Sequence, residues 1–113
     1  MEFSIVVPVY NEAGNVRPLL TEISRAVRGT GAREVIYVDD GSEDDTLAEL
    51  RRALPDFPAL RVLHHPRRSG QSGALLTGVR AARAAWVVTL DGDGQNDPAD
   101  IRLLLQRLQD DNA

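Results

Sequence analysis

At 113 residues the chain has room for one domain around one hydrophobic core and is too short for two ordinary ones. It has no cysteine, which excludes a disulfide framework, Cys-ligated zinc and a thiolate nucleophile, and its 13 basic residues are all arginine, which excludes a Walker phosphate lysine, a Schiff base and a receiver lysine. A net charge of -4 argues against nonspecific binding to nucleic acid or to an anionic membrane surface.

The first β-branched run, residues 3–9, predicts a strand that is apolar enough to be central and covered on both faces. Val16, Leu19, Leu20, Ile23 and Val27 then recur at helical spacing. A second strand is expected over 34–38, followed by an amphipathic helix carrying Leu47, Leu50 and Leu54. The third strand, 60–63, is interrupted by Arg61 and reads as an edge; the adjacent His64 and His65 lack the spacing of a zinc pair. Leu75, Gly78, Val79 and Ala82 form a third helical stripe, whose small residues allow close approach to a sheet. A fourth strand over 85–90 again reads as central. The fourth helix carries Ile101, Leu104, Leu105 and Leu108, with Asp97 as N-cap, Pro98 in the first helical position and Asp100 at N3.

The start lacks a basic n-region, and the uncharged apolar run at 84–90 falls far short of the roughly 20 residues of a membrane helix, so the expectation is a cytoplasmic chain. Four alternations of strand and helix predict an α/β fold, a Rossmann-like open parallel sheet with strand order 3-2-1-4. That order puts the switch point between the first and fourth strands, and ligands of such sheets bind beyond the carboxyl ends of the strands there.

Polar clusters follow the strands that this order makes neighbours: Pro8-Val9-Tyr10-Asn11-Glu12, Asp39-Asp40-Gly41-Ser42 and Asp91-Gly92-Asp93-Gly94-Gln95. Each alone is ordinary turn chemistry. In the last, an aliphatic strand runs into carboxylates at i and i+2, and like charges so close are costly without a cation between them. Mg2+ or Mn2+ suits Asp91 and Asp93, with Gln95 adding a carbonyl oxygen or an outer hydrogen bond. An EF-hand is excluded by Asn96 at the sixth position and Arg102 at the twelfth. The dinucleotide fingerprint is absent, since the chain reads Asn11-Glu12-Ala13-Gly14-Asn15 after the first strand.

Phosphate therefore needs another holder besides the metal. The loop His65-Pro66-Arg67-Arg68-Ser69-Gly70-Gln71-Ser72-Gly73 offers guanidinium groups and a glycine-rich entry to a helix. Charge is segregated to match, with five arginines and no acid over 57–90 and four aspartates and no base over 91–100. Asp39 and Asp40 read as ligands, one accepting hydrogen bonds from a base or ribose, the other capping the turn or supporting the metal shell.

In order and spacing, Val6-Val7-Pro8-Val9-Tyr10-Asn11-Glu12, Val38-Asp39-Asp40-Gly41-Ser42, Ser69-Gly70-Gln71-Ser72-Gly73-Ala74 and Leu90-Asp91-Gly92-Asp93-Gly94-Gln95-Asn96-Asp97-Pro98 resemble the nucleotide-binding half of family-2 glycosyltransferases. The Gly-Gln loop and the Gln-Asn-x-Pro tail are most similar to those of polyprenyl-phosphate glycosyltransferases, such as dolichol-phosphate mannosyltransferases and undecaprenyl-phosphate sugar transferases. The resemblance implies the N-terminal half of a glycosyltransferase-A fold, with residues 1–113 as its nucleotide-sugar-binding subdomain. It further implies that Pro8, Tyr10, Glu12, Val38 and Asp40 contact the nucleoside, while Asp91, Asp93 and Gln95 hold Mg2+ or Mn2+ on the donor diphosphate. Arg67, Gly70 and Gln71 of the basic loop, with Leu90 and Gly92, complete the expected substrate-binding set. Departures are Gly92 and Gly94, where the family has Ala and a larger apolar residue, and Ser69, where an aromatic is common.

The implied activity is metal-dependent transfer of a hexosyl group, with inversion, from a UDP-sugar or GDP-mannose to polyprenyl phosphate, at the cytoplasmic face of the membrane and in bacterial cell-envelope polysaccharide synthesis. The acceptor site, the catalytic base and any membrane helices are expected beyond residue 113, so the isolated chain is expected to be inactive. Alternative readings are a module that binds a nucleotide or nucleotide sugar without turnover, and an oligomer formed through an exposed sheet edge. A phosphoacceptor receiver is disfavoured by the absence of lysine and of a fifth strand.

Overall fold

The β-branched run at the start of the chain forms β1 (Phe3–Val9), and all 7 of its residues are buried. The remaining elements of the computed structural model, which describes residues 2–92, are α1 (Val16–Ala26), β2 (Ala32–Asp40), α2 (Thr46–Ala53), β3 (Leu60–His65), α3 (Gln71–Ala81) and β4 (Trp86–Thr89). The strands form a parallel sheet in the order β3-β2-β1-β4, as expected of the Rossmann-like half of a glycosyltransferase-A fold. The expected fourth helix lies outside the described residues. Among the described residues, no helix is long and apolar enough to cross a membrane.

The two faces of the sheet follow from the period of two along β1. Phe3, Ile5, Val7 and Val9 pack with Tyr37 against Val16, Leu19, Leu20 and Ile23 of α1 and Leu50 and Ala53 of α2. Burying a side chain of this size contributes roughly 1.5–3 kcal/mol. Val6, between these residues, faces the other way and packs with Ile36, Val38 and Ala74. There α3 comes in closely: a Cβ on Gly78 would lie 2.3 Å from Val6 Cγ1. Ala74 and Gly78 are the buried positions of α3, Leu75 and Ala82 of the expected stripe pack partly buried beside them, and Val79 is 44% exposed and faces out.

Two strands run past their expected ends. β2 continues through Asp39 and Asp40, and β3 through His64 and His65, because the parallel ladder pairs Asp39 with His64 and Asp40 with His65. Cross-strand partners hold the carboxylates in the strand despite their low β propensity. β4 is shorter than expected. Among the described residues it pairs with β1 alone, and Trp86 is 57% exposed.

At the amino end of the sheet a buried ion pair accounts for the arginine in β3. Glu34, 4% exposed, accepts hydrogen bonds from Ser4 Oγ at 2.7 Å, Arg61 Nη1 at 2.6 Å and the Arg83 amide at 2.6 Å. Arg61 Nη1 also donates to the Ala81 carbonyl at the end of α3. Burial raises the Glu34 carboxyl, but hydrogen bonds from Ser4, the Arg83 amide and Arg61, with the charge of Arg61, outweigh it and hold it below its ordinary value. This cluster anchors β3 and α3 to β1, far from the carboxyl ends.

Candidate nucleotide pocket

The loops after β1 and β2 are joined by hydrogen bonds that set the direction of Tyr10. Asn11 adopts the left-handed conformation, at φ 52°. Its Oδ1 accepts from the amides of Glu43 at 2.8 Å and Asp44 at 3.4 Å, while its own amide donates to Ser42 Oγ at 2.9 Å. The amides of Glu12 and Ala13 donate to Thr46 Oγ1 and Asp44 Oδ2. The Asn, Ser, Asp and Thr residues of these loops thus satisfy each other's backbone, and Tyr10 and Glu12 are left at the mouth of a cavity.

That cavity, of about 240 Å³, lies at the carboxyl ends of β1, β2 and β4. Pro8, Val9, Tyr10 and Glu12 form one wall, Asp40, Arg68, Gln71 and Ala74 another, and Asp91 and Gly92 the third. The Arg68 guanidinium carbon lies 4.0 Å from the centroid of the Tyr10 ring, a cation–π contact. Gln71 Nε2 donates to Asp91 Oδ1 at 3.5 Å. Gly92 fits where a side chain would not, since its Cβ would lie 2.3 Å from Val9 Cγ1 and 2.6 Å from the Pro8 carbonyl oxygen.

Asp40 holds the basic loop. Its carboxylate, 4% exposed, accepts from the Ser69 amide at 2.8 Å, Ser69 Oγ at 2.9 Å, the Gly70 amide at 2.8 Å and His65 Nδ1 at 2.9 Å. Burial raises this carboxyl, and the hydrogen bonds from Ser69, His65 and Gly70 together outweigh it, holding it below the usual aspartate value. Asp39, fully buried, accepts from His64 Nδ1 at 2.9 Å and from the Ser42 amide at 3.4 Å, so it caps the turn after β2.

Of the residues singled out from the sequence, Pro8, Tyr10, Glu12, Asp40, Gln71, Asp91 and Gly92 line the cavity. Val38 does not: it faces α3 and packs with Val6 and Ala74. Leu90 is in the core on the other face. Arg67 does not line the cavity, and its neighbour Arg68 does. Gly70 contributes from behind, through its amide on Asp40. Asp93 and Gln95 lie outside the described residues. Among the described residues no group of three or more His, Asp or Glu could hold a metal ion. Of the carboxylates that line the cavity, Asp40 is committed to the loop, whereas Asp91, just beyond the end of β4, offers the oxygen donor that suits a hard divalent cation.

The sequence points to the 65–73 loop, with its two arginines, as a phosphate holder, but it assigns no individual role to His64, His65 or Ser69 and favours Arg67 over Arg68. The signal is present there: Asp39-Asp40 and His64-His65 stand at the carboxyl ends of strands expected to be neighbours. Ending the third strand at residue 63 conceals their pairing.

Comparison with known proteins gives a consistent picture. The family model for glycosyl transferase family 2 matches residues 4–113. Dodecaprenyl-phosphate galacturonate synthase of Rhizobium johnstonii is 40% identical over 111 residues, covering 96% of this chain and 33% of the relative. Dolichol-phosphate mannosyltransferase of Saccharomyces cerevisiae is 30% identical over 112 residues, covering 97% of this chain and 42% of the relative. Among solved structures, a mannosyltransferase from Pyrobaculum calidifontis in complex with GDP-Man and Mn2+ aligns with a TM-score of 0.65 and 32% identity, over 81% of this chain and 27% of that one. S. aureus TarS in complex with UDP aligns with a TM-score of 0.64 and 26% identity, over 82% of this chain and 28% of that one. The chain spans about a third of the length of most of the curated relatives it matches.

Proposed function

Because the chain belongs to glycosyl transferase family 2, we propose that residues 1–113 bind the nucleotide-sugar donor of a transferase whose acceptor is polyprenyl phosphate. The observation that carries this reading is the convergence of Tyr10, Arg68 and Asp91, from three separate segments, on one cavity at the switch point of the sheet. An aromatic ring suits the nucleobase, a guanidinium suits phosphate, and a carboxylate at the end of β4 suits a metal ion.

In this reading the nucleoside packs against Tyr10 and Pro8, and the diphosphate lies between Arg68 and Asp91. Asp91 would hold Mg2+ or Mn2+, with Asp93 and Gln95 completing the set. The metal, when bound, supplies Lewis-acid stabilisation of the departing nucleoside diphosphate. Arg68 adds fixed positive charge where negative charge develops as the anomeric bond breaks. The acceptor phosphate attacks the anomeric carbon with inversion, at the cytoplasmic face of the membrane that carries the acceptor.

The polyprenyl-phosphate relatives and the GDP-Man and UDP complexes of the structural neighbours support this assignment. Calorimetric titration of UDP, GDP and their sugars into the chain, with and without Mn2+, tests it. Metal-dependent binding of one nucleotide class that weakens in Asp91→Ala is expected. No binding of either nucleotide, or affinity unchanged in Asp91→Ala, overturns it.

A further inference from the structure

Asp40 lines the cavity, yet three of its hydrogen bonds run to the segment between β3 and α3 and a fourth to the last residue of β3. The groups that make them are the Ser69 amide and hydroxyl, the Gly70 amide and the imidazole of His65. The imidazole is itself held on its other side, with Nε2 2.7 Å from Thr77 Oγ1 on α3. His65 therefore links the end of β3, the carboxylate at the end of β2 and the second turn of α3. The loop it encloses contains Arg68, which lies on the ring of Tyr10.

The path of that loop is constrained at one further point. Gly41, at φ 73°, lies so close beneath it that a Cβ there would be 2.6 Å from the Arg68 nitrogen and 2.7 Å from the Arg67 carbonyl carbon. The backbone of 67–68 thus rests on Gly41, the backbone of 69–70 is tied to Asp40, and the Arg68 side chain projects over Tyr10. Asp40 is fixed in turn by His65, whose own side chain is only 20% exposed.

We infer that His65 is a positioning residue of the nucleotide pocket. Through Asp40, and through its own contact with Ser69 Oγ at 3.0 Å, it fixes the Ser69–Gly70 turn and so holds Arg68 against Tyr10, where a donor phosphate would meet it. The role of Arg68 rests on the donor-binding reading above; the hold of His65 on the loop does not. A buried carboxylate that already accepts from backbone amides is a strong anchor, and its imidazole donor is a charge-assisted or near-charge-assisted bond whose loss leaves Asp40 freer to turn.

The test uses the 113-residue chain in two arms. In the first, amide hydrogen exchange is measured without ligand. His65→Leu is expected to speed exchange at Ser69 and Gly70 by about tenfold, the loss of one hydrogen bond to a charged group, while the amides of Ile5 and Val7 in β1 keep their protection. His65→Asn, whose amide nitrogen takes the place of Nδ1, is expected to restore it. Thr77→Val, which frees the imidazole from α3, shifts the same two amides and serves if His65→Leu does not fold.

In the second arm, Mn2+ with GDP or UDP is titrated into the same variants. His65→Leu is expected to weaken binding by about tenfold, and His65→Leu with Arg68→Ala is expected to bind no more weakly than Arg68→Ala alone. Unchanged exchange at Ser69 and Gly70, or losses that add in the double variant, overturns the inference. If the wild-type chain binds neither nucleotide while the two amides respond to residue 65, the donor-binding reading fails and the hold of His65 on the loop stands.

Discussion

The Arg68 guanidinium stacks on the Tyr10 ring at 4.0 Å, joining the loop after β3 to the loop after β1 across the end of the intervening strand β2. Arg68 is exposed, yet through this contact it forms part of the wall that Tyr10 presents to a ligand. Arg68→Ala should weaken metal-dependent nucleotide binding by roughly tenfold, the range of a partly desolvated cation–π or phosphate contact. Arg68→Lys should recover only part of it, because an ammonium neither stacks on the ring nor forks onto phosphate. Calorimetry of the three proteins side by side reads both effects.

Gly41→Ala should destabilise the fold by about 1–3 kcal/mol, combining a left-handed backbone with a collision against backbone that cannot rotate away. Gly14, where an added Cβ would meet nothing within 4 Å, is the control and should tolerate alanine with a change within about 0.5 kcal/mol. Urea unfolding followed by circular dichroism distinguishes them.

The Tyr37 hydroxyl is buried and has no hydrogen-bond partner among the described residues. Its burial pushes the phenol far above its ordinary value, so it stays neutral. Removing an unsatisfied buried donor relieves a desolvation cost, so Tyr37→Phe should leave stability unchanged or raise it by about 1 kcal/mol. A clear loss of melting temperature would show that the hydroxyl has a partner.

Glu34 and Asp40 both sit below their ordinary values, 4.5 and 3.8. The native state therefore holds their charged forms more firmly than the unfolded chain does. Stability from this source is fully present above the unfolded values and is lost as pH falls through the lower, folded values. Chemical denaturation at a series of pH values should show a plateau above about pH 5 and a decline below it. Glu34→Gln, which cannot titrate, should make that decline shallower.

Much of this was legible in the sequence. The periods of two and 3.6 are local properties, so β1, α1 and the parallel order could be read from the spacing of Val, Ile and Leu and from the alternation of elements. The carboxyl-end clusters could be read too, because turn residues and acidic pairs after an aliphatic strand are chemically distinctive. Which residues of a strand reach the pocket was harder. Val38 lies on the same face of β2 as Asp40, but it stands two residues deeper along the strand, beneath α3 and in the core with Val6 and Ala74, short of the cavity.

What the amino-acid sequence determined by itself is the alternating α/β plan, the family motifs and the segments that meet at the switch point, since each depends on residue type and spacing alone. Tertiary structure decided that Asp40 is anchored to Ser69 and Gly70, that His65 pairs with it, and that Arg68 rather than Arg67 reaches Tyr10. The reason is that register between two strands and the path of a loop over Gly41 are relations between distant segments. A difference of one residue in either reverses which side chain faces the pocket.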